Sequence, residues 1–244
     1  SVDPRPCSLA NSLNPAESGH IFGFDRQGCD IYARVIYGAR ASVLVGVLTT
    51  ALVTVVGALI GSIAGFFGGW VDTILSRITD IFFAIPLVLA AIVVMQMFKE
   101  YRTIITVVLV LGLFGWVSIA RITRGAVMSI KNEEFVQAAL SIGASKWRIL
   151  FSHVLPNAAA PIISYATVAL GTFIVAEATL SFLGIGLPPT IVSWGGDISQ
   201  AQASLRQEPM VLFYPAGALA LTVLSFIMMG DVVRDALDPK ARKR

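Results

Sequence analysis

Long apolar runs without charge alternate along the chain with shorter stretches that hold most of the charged residues. Uncharged runs separate Arg40 from Asp72, Asp80 from Lys99, Arg102 from Arg121, His153 from Glu177, and Glu208 from Asp231. Each run is roughly the 17–25 residues that a helix needs to cross the hydrocarbon core of a bilayer. The pattern predicts an all-α protein, a polytopic bundle of five transmembrane helices, four of them at about 41–66, 103–120, 158–180 and 210–230.

Composition supports a membrane protein. Hydrophobic residues make up 56% of the 244 residues and charged residues only 14%, whereas soluble domains average about 25% charged residues. A large soluble helical core is the alternative, but buried soluble helices are usually shorter and keep a polar stripe, which these runs lack. The net charge is +3, but the sequence shows no basic groove interleaved with aromatic residues. A nucleic acid is therefore not an expected partner.

The distribution of Lys and Arg predicts the orientation in the membrane. The dense basic ending DPKARKR, residues 238–244, favours the cytoplasm. If the spans alternate from there, residues 132–157 are also cytoplasmic. Three parts follow: an extracytoplasmic segment at 1–40, a transmembrane domain at 41–230 and a cytoplasmic basic tail at 231–244.

The first forty residues are polar and rich in turn-forming residues. They lack the apolar core of a signal peptide, and the chain begins with Ser1 rather than Met, which suggests a piece of a longer protein. DIYARVIYGARAS, residues 30–42, predicts an interfacial helix before the first span. Cys7 and Cys29, the only cysteines, can form a disulfide outside the cytoplasm; two free thiols are the alternative.

Two features are expected to shape the first two spans. Glycines recur every four residues at Gly57, Gly61 and Gly65, and one helix face of glycines lets another backbone approach closely. That neighbour is either another part of this chain, which we favour, or a partner membrane subunit. GGWVDTILSRITD, residues 68–80, predicts a short cytoplasmic turn, and Pro86 predicts a kink in the second span.

Glu177 is the one ionisable residue inside the fourth span. A carboxylate within a membrane helix is costly unless it is paired or hydrated, which makes this residue a candidate functional site. Its position toward the outer end of the span favours hydration. Contact with a substrate and a purely structural hydrogen bond both remain open.

EEFVQAALSIGASKWRILFSHVLPN, residues 133–157, forms a polar stretch between the third and fourth spans. Asn132 is placed to cap a helix whose first turn holds Glu133 and Glu134. One apolar face of that helix comprises Phe135, Ala138, Ala139 and Ile142. Gly143 suits the left-handed residue that closes a helix.

A second short helix is predicted after this glycine. Ser145 is placed to cap it and Pro156 to end it. Its apolar face comprises Trp147, Leu150, Phe151, Val154 and Leu155. The stretch has no nucleophile with a base, no cluster of metal ligands and no phosphate loop, so it predicts a docking surface without catalytic residues and without a metal.

The pattern QAALSIGAS followed by Leu155-Pro156 resembles the EAA loop of the membrane subunits of binding-protein-dependent ABC importers. FGFDRQGCDIYARVIYGARAS, GGWVDTILSRITDIFFAIP, EATLSFLGIGLPP, SWG and GDVVRDALDP together resemble the C-type permease of dipeptide and oligopeptide importers. The resemblance runs from about His20 to Pro239. It implies the type I ABC-importer permease fold, and a first span that precedes the sequence at hand.

What the resemblance implies for function can be assigned by residue. Coupling to ATPase subunits falls on Glu133, Glu134, Gln137, Ala138, Ala139, Gly143, Ala144, Ser145, Trp147 and Arg148. Glu177 and Ser181 are candidates for the translocation path or outer gate. Ser193, Trp194 and Gly195 are candidates for contact with the binding protein.

The same resemblance implies an assembly in the bacterial cytoplasmic (inner) membrane. The expected partners are a homologous second permease, two ATP-binding subunits, an extracytoplasmic peptide-binding protein and membrane lipid. No cofactor is expected in this chain, and ATP and Mg would bind to the ATPase subunits. The chain would be a permease for di- or oligopeptides, without an ATPase site of its own.

Two departures from the family pattern stand out. Gln137 replaces the glutamate that opens the EAA motif, so a salt bridge there would become a neutral hydrogen bond. Cys29 stands where the family often has arginine, which favours pairing with Cys7.

Other functions are less well supported by the sequence. The same subgroup includes permeases for nickel chelates and other small solutes. A secondary transporter would need ligands for a coupling ion near the middle of the membrane, and a membrane enzyme would need paired catalytic groups in a span. Neither pattern is found.

Overall fold

A computed structural model describes residues 6–237. This part of the chain is mainly helical. Its helices are α1 (Ile31–Phe67), α2 (Gly69–Phe83), α3 (Leu87–Met97), α4 (Ile104–Gly115), α5 (Val117–Ile130), α6 (Glu134–Ser141), α7 (Lys146–Ile149), α8 (Leu155–Asn157), α9 (Ala159–Phe182), α10 (Trp194–Ala201) and α11 (Met210–Leu237). A π-helical turn, Leu150–Val154, joins α7 to α8.

Helices α1, α9 and α11 are each long and apolar enough to cross a membrane. Two further candidates are bent pairs: α2 with α3, bent by 80°, and α4 with α5, bent by 46°. When each pair is taken as one span, the described residues contain up to five spans. This upper number equals the five predicted from the uncharged runs.

The helix predicted at residues 30–42 is the beginning of α1 rather than a separate element. Asp30 Oδ1 accepts the backbone N–H of Tyr32 at 2.9 Å, and the helix then continues for 37 residues. At 1.5 Å per residue it is about 55 Å long, whereas the hydrocarbon core is about 30 Å thick. No proline interrupts it, so the interfacial segment and the first span belong to one continuous helix.

The turn predicted at residues 68–80 is wrong, because these residues form most of α2. Charged side chains of α2 find partners on α5. Arg124 donates two hydrogen bonds to Asp72, from Nε at 2.6 Å and from Nη2 at 2.7 Å. Arg121 Nη2 lies 2.8 Å from Asp80 Oδ1. Because these ion pairs give the charged side chains partners on α5, the polar segment can form a helix.

Pro86 interrupts the second span more strongly than the predicted kink. Helix α2 ends at Phe83 and α3 begins at Leu87. Proline disfavours the helical conformation of the preceding residue and lacks an N–H to bond back into the previous turn. The 80° bend at this point follows from both effects.

The described chain divides into two compact units, one of residues 6–49, 88–111 and 170–225, the other of residues 50–87, 112–169 and 226–237. The first unit is organised around a small apolar core of Ile31, Val35, Ala201 and Val211. Phe22 stacks on Tyr214 beside it, with ring centroids 4.0 Å apart. A disulfide joins Cys7 to Cys29 in the segment that precedes α1.

The second unit packs the glycine face of α1 against α5. A Cβ atom added at Gly57 would lie 2.7 Å from the carbonyl oxygen of Trp116, and one added at Gly61 would lie 2.2 Å from that of Ala120. At Gly65 the oxygen of Arg124 would be 2.8 Å away. These glycines therefore pack within the chain, as favoured from the sequence.

The predicted tail at 231–244 begins inside a helix. Helix α11 continues to Leu237, so residues 231–237 are helical. The basic residues from 238 onward, on which the predicted orientation depends, lie outside the described residues.

Candidate functional site

The first helix of the stretch 132–157 is α6. Its N-cap is Glu133, in extended conformation and without a side-chain cap, so the predicted cap by Asn132 is wrong. The Asn132 side chain instead faces back to the preceding helix, with Nδ2 3.4 Å from the carbonyl oxygen of Met128. Glu134 lies in the first turn of α6, where a negative charge stabilises the helix dipole.

Helix α6 ends in a Schellman motif around Gly143. This residue has φ of +81°, a conformation that glycine adopts without the steric cost of a Cβ. The N–H of Ala144 bonds to the carbonyl of Ala139 at 3.1 Å, and that of Gly143 to the carbonyl of Leu140 at 3.0 Å. The two bonds satisfy carbonyls that the helix end would leave unpaired. The predicted closure at Gly143 is confirmed.

The second helix begins as predicted but does not end at Pro156. Ser145 Oγ accepts the N–H of Arg148 at 3.4 Å, which confirms the cap. The chain remains helical through the π turn at Leu150–Val154 and through α8, which contains Pro156. Pro156 lies in the first turn of α8, and the chain leads from there directly toward α9.

The two helices bury one set of apolar residues and expose another. Val136, Ile149, Leu150 and Val154 are fully buried. The exposed set comprises Phe135 (43%), Ile142 (85%), Trp147 (53%) and Phe151 (43%). The predicted face of α6 therefore exists but is largely turned to the surface, because Val136, one position later, occupies the interior with Ala139. Large exposed apolar side chains close together are typical of a protein interaction site.

Two contacts connect this stretch to the ends of α1 and α5, and a third joins those two ends to each other, all within the second unit. The Trp147 ring lies 4.9 Å from the Phe67 ring. Lys131 Nζ donates to the carbonyl of Gly65 at 2.7 Å, a bond that also places a cation at the C-terminal end of α1. Gln137 Nε2 donates to the carbonyl of Lys131 at 3.3 Å; an ionised glutamate has no proton to donate there.

Glu177, predicted at a position that favours hydration, is completely buried. Ser181 Oγ donates to Glu177 Oε1 at 2.7 Å and accepts the N–H of Leu187 at 3.1 Å. Ser181 thus connects the carboxyl group to the turn after α9. This geometry supports the structural alternative for Glu177, while a role of Glu177 or Ser181 in the translocation path stays a prediction.

The residues predicted to contact a binding protein lie inside the first unit. Ser193 is 2% exposed and Trp194 3%. The Trp194 indole donates to the carbonyl of Val35 at 2.8 Å, and Ser193 caps α10 by accepting the N–H of Gly196 at 3.2 Å. A Cβ added at Gly195 would lie 2.3 Å from the carbonyl oxygen of Ala178. All three residues therefore attach α10 to α1 and α9, and their contact with a partner stays a prediction.

An ion pair between α1 and α10 is a feature that the sequence did not reveal. Arg34 donates to Asp197 Oδ1 through Nε at 3.0 Å and also through Nη2. Asp25 Oδ2 lies 3.7 Å from Arg34 Nε. Burial raises the pKa of Asp197, and the nearby Arg34 opposes this rise. The partners are 163 residues apart in the chain, and no local pattern points from one to the other.

The comparisons with known proteins agree on one family. The family model described as "Binding-protein-dependent transport system inner membrane component" matches residues 57–243. The oligopeptide transport system permease protein OppC of Bacillus subtilis is 41% identical over 241 residues, which are 99% of this chain and 78% of the relative. The glutathione transport system permease protein GsiD of Escherichia coli is 40% identical over 232 residues, or 95% and 76%.

Solved structures resemble the fold. A chain of the MetNI methionine ABC transporter in inward-facing conformation aligns with a TM-score of 0.70 at 18% identity, covering 84% of this chain and 96% of that one. A chain of an amino acid ABC transporter aligns with a TM-score of 0.64 at 14% identity, covering 84% and 95%. The predicted fold of an importer permease is confirmed by these similarities.

Proposed function

The chain belongs to the family of binding-protein-dependent transport system inner membrane components, and from this premise we propose that residues 132–157 couple it to ATPase subunits and that its substrate is a peptide. The chain is a membrane protein and a permease subunit of an ABC importer. The coupling residues, the substrate, the partners and the orientation are the proposal.

One observation carries the coupling role: large apolar side chains are exposed on two short helices joined by the turn at Gly143. Ile142 and Trp147 are 85% and 53% exposed, and they flank the Schellman turn at Gly143. Ala138, one turn before Ile142, is also exposed, and its small side chain would let a partner surface approach. Burial of such side chains in a cleft is favourable at about 25 cal/mol for each Å² of apolar area.

The contacts of this stretch provide a route for force into the membrane helices. A displacement of Trp147 would act on Phe67 at the end of α1. The uninterrupted helical path from α7 through the π turn to α8 would pass the same movement toward α9. Lys131 holds the end of α5 to the end of α1, so the helices would move together.

The partners follow from this role. One of two ATP-binding subunits would receive the stretch 132–157 on the cytoplasmic side. Both would hold ATP and Mg, so this chain itself would hydrolyse nothing. A second, homologous permease would complete the path. An extracytoplasmic binding protein would deliver the substrate to the part of the first unit that is formed by the residues before α1.

The names of the relatives support a peptide as the substrate. One relative is named for oligopeptide transport and another for glutathione transport, and glutathione is itself a small peptide. The alternatives of a nickel chelate, another small solute or a secondary transporter are not favoured by these names. We therefore propose di- and oligopeptides.

The coupling role can be tested in the assembled transporter, reconstituted in vesicles with its binding protein. Gly143→Val forces a β-branched residue into a left-handed conformation, which costs an L-residue roughly 1–2 kcal/mol. No other group lies within 4 Å of the position that a Cβ would take, so strain in this turn is the main expected effect. We expect peptide uptake for each ATP hydrolysed to fall about tenfold.

Gly125→Ala is the matched control, because this glycine has free space around its Cβ position and an ordinary helical φ. It should leave both rates within twofold. If Gly143→Val keeps uptake coupled to ATP hydrolysis, residues 132–157 do not transmit the ATP cycle. If the unmodified transporter hydrolyses ATP but takes up no di- or oligopeptide, the proposed substrate is wrong.

A further inference from the structure

A cavity of about 380 Å³ lies within the first unit, beside the ion pair of Arg34 and Asp197. One side is apolar and is formed by core residues that include Ile31, Val35 and Val211. The other side is formed by Asp25, Arg34 and Asp197. The volume is within the range of pockets that receive small organic groups.

The charged side of the cavity is incompletely paired. Two carboxylates face a single guanidinium, and the side chains of Asp25, Arg34 and Asp197 are only 14%, 12% and 9% exposed. Arg34 uses Asp197 Oδ1 for both of its hydrogen bonds. Asp197 Oδ2 is buried and has no hydrogen-bond partner among the described residues.

Such an arrangement is unusual, because buried polar atoms nearly always have a partner. Asp25 is better satisfied, since its Oδ1 accepts the N–H groups of Gln27 and Cys29 at 2.8 and 2.9 Å. Arg26 lies at the rim with its residue exposed, and it forms no ion pair with either aspartate within residues 6–237. Among the buried side chains of the cavity two carboxylates therefore share one guanidinium, while the exposed Arg26 also lines it.

We propose that this cavity receives a lysine or arginine side chain of the extracytoplasmic binding protein, with its apolar stem against the core residues and its charged end beside Asp25 and Asp197. The inference rests on the proposed function, which supplies the binding protein as partner. Long basic side chains combine an apolar stem with a cationic tip, which matches the two sides of the cavity. One added positive charge would balance the two carboxylates.

The apolar side favours a docked group over a transported one. Its residues belong to the buried core of the first unit and pack against Phe22 and Tyr214. A solute entering from the charged side would meet this packed core rather than a polar path. A side chain that enters and leaves with each docking event needs no exit beyond it.

The test uses the whole transporter in lipid nanodiscs and measures the Kd of its own binding protein. Ala203→Trp fills the cavity, which Ala203 lines, without changing the ion pair. Gln202→Trp is the matched control, because Gln202 is the exposed neighbour and is not among the residues around the cavity. Asp197→Asn removes one negative charge and keeps the shape.

We expect Ala203→Trp and Asp197→Asn to raise the Kd about 10- to 100-fold, the range for loss of a hydrogen-bonded charge, and Gln202→Trp to change it less than twofold. Alanine substitution of each surface lysine and arginine of the binding protein should find one whose loss has no further effect in the Asp197→Asn background. Unchanged docking in both Ala203→Trp and Asp197→Asn would overturn the proposal.

Peptide uptake is measured with the same preparations. If docking is unchanged but the KM for peptides rises in Asp197→Asn, the cavity serves the transported peptide, and the proposed docking role is wrong. If the unmodified transporter takes up no peptide, the proposed function fails. In that case the Kd values of the binding protein for the variants still decide the role of the cavity.

Discussion

The stretch 132–157 and the surroundings of Arg34 and Asp197 use their side chains in opposite ways. In the first, apolar residues such as Ile142 are exposed, and no ion pair joins the stretch to the rest of residues 6–237. In the second, charged residues are buried in an ion pair between α1 and α10. In the first region large apolar side chains are exposed at the surface. In the second region charged side chains form an ion pair inside the protein.

The two regions also differ in what holds their helices in place. Helix α6 is closed by backbone hydrogen bonds around Gly143, so its exposed side chains can vary without unfolding the helix. Around Asp197 and Trp194, side chains themselves connect α10 to α1. Substitutions in the first region should alter coupling, whereas loss of the bonds that join α10 to α1 in the second should alter folding.

The largest effect is expected from Arg34→Met, which leaves Asp197 without its partner. Removing one member of a buried ion pair typically costs 3–5 kcal/mol, because the remaining charge stays buried and unpaired. We expect the free energy of unfolding to fall by about 3 kcal/mol in thermal unfolding of the purified transporter.

Two further variants sharpen this prediction. In Arg34→Met with Asp197→Leu the unpaired charge is gone, and we expect at least half of the loss to be recovered. Arg148→Met removes an exposed arginine from the stretch 132–157 and should cost less than about 0.5 kcal/mol. Equal losses in Arg148→Met and Arg34→Met would contradict the distinction between the two regions.

A smaller effect is expected from Gly195→Ala. The added Cβ would lie 2.3 Å from the carbonyl oxygen of Ala178, so α10 would have to move away from α9. Overpacking of this kind costs about 1–3 kcal/mol. Gly217→Ala in α11 is the control, since nothing lies within 4 Å of its Cβ position, and thermal unfolding should show no loss. A stable Gly195→Ala variant would mean that α10 is not fixed by this contact.

The sequence predicted what is decided locally. Closure at Gly143 and the cap by Ser145 depend on bonds that span three to five residues, and short signals of this kind are visible in the order of residue types. The apolar spans could also be predicted from the sequence, because the hydrocarbon of the membrane excludes charge over the whole length of a helix. The cap predicted at Asn132 is wrong although capping is local, since Glu133 occupies the cap position without using its side chain.

What the sequence could not predict depends on distant partners. Residues 68–80 were predicted to be a turn, yet they form most of α2, where Arg124 pairs with Asp72 from 52 residues away. Glu177 was expected to favour hydration, but the turn that follows α9 and its bond to Ser181 enclose it. Pro156 was expected to end a helix, but the chain stays helical through the π turn before it and through α8, and this π turn has no sequence signal of its own.

The smallest effect is expected from removing a serine N-cap, and each of the two regions contains one. Ser193 is buried and accepts the N–H of Gly196 at 3.2 Å, whereas Ser145 is exposed and accepts that of Arg148 at 3.4 Å. Loss of an N-cap costs about 0.5–2 kcal/mol. We expect Ser193→Ala to lower the free energy of unfolding by about 1–2 kcal/mol, since the N–H of Gly196 would lose its cap in a largely buried place. Ser145→Ala should lower it by only about 0.5 kcal/mol, because water can replace the hydroxyl, and should instead reduce peptide uptake per ATP. The reverse order in thermal unfolding would show that burial does not distinguish the two regions.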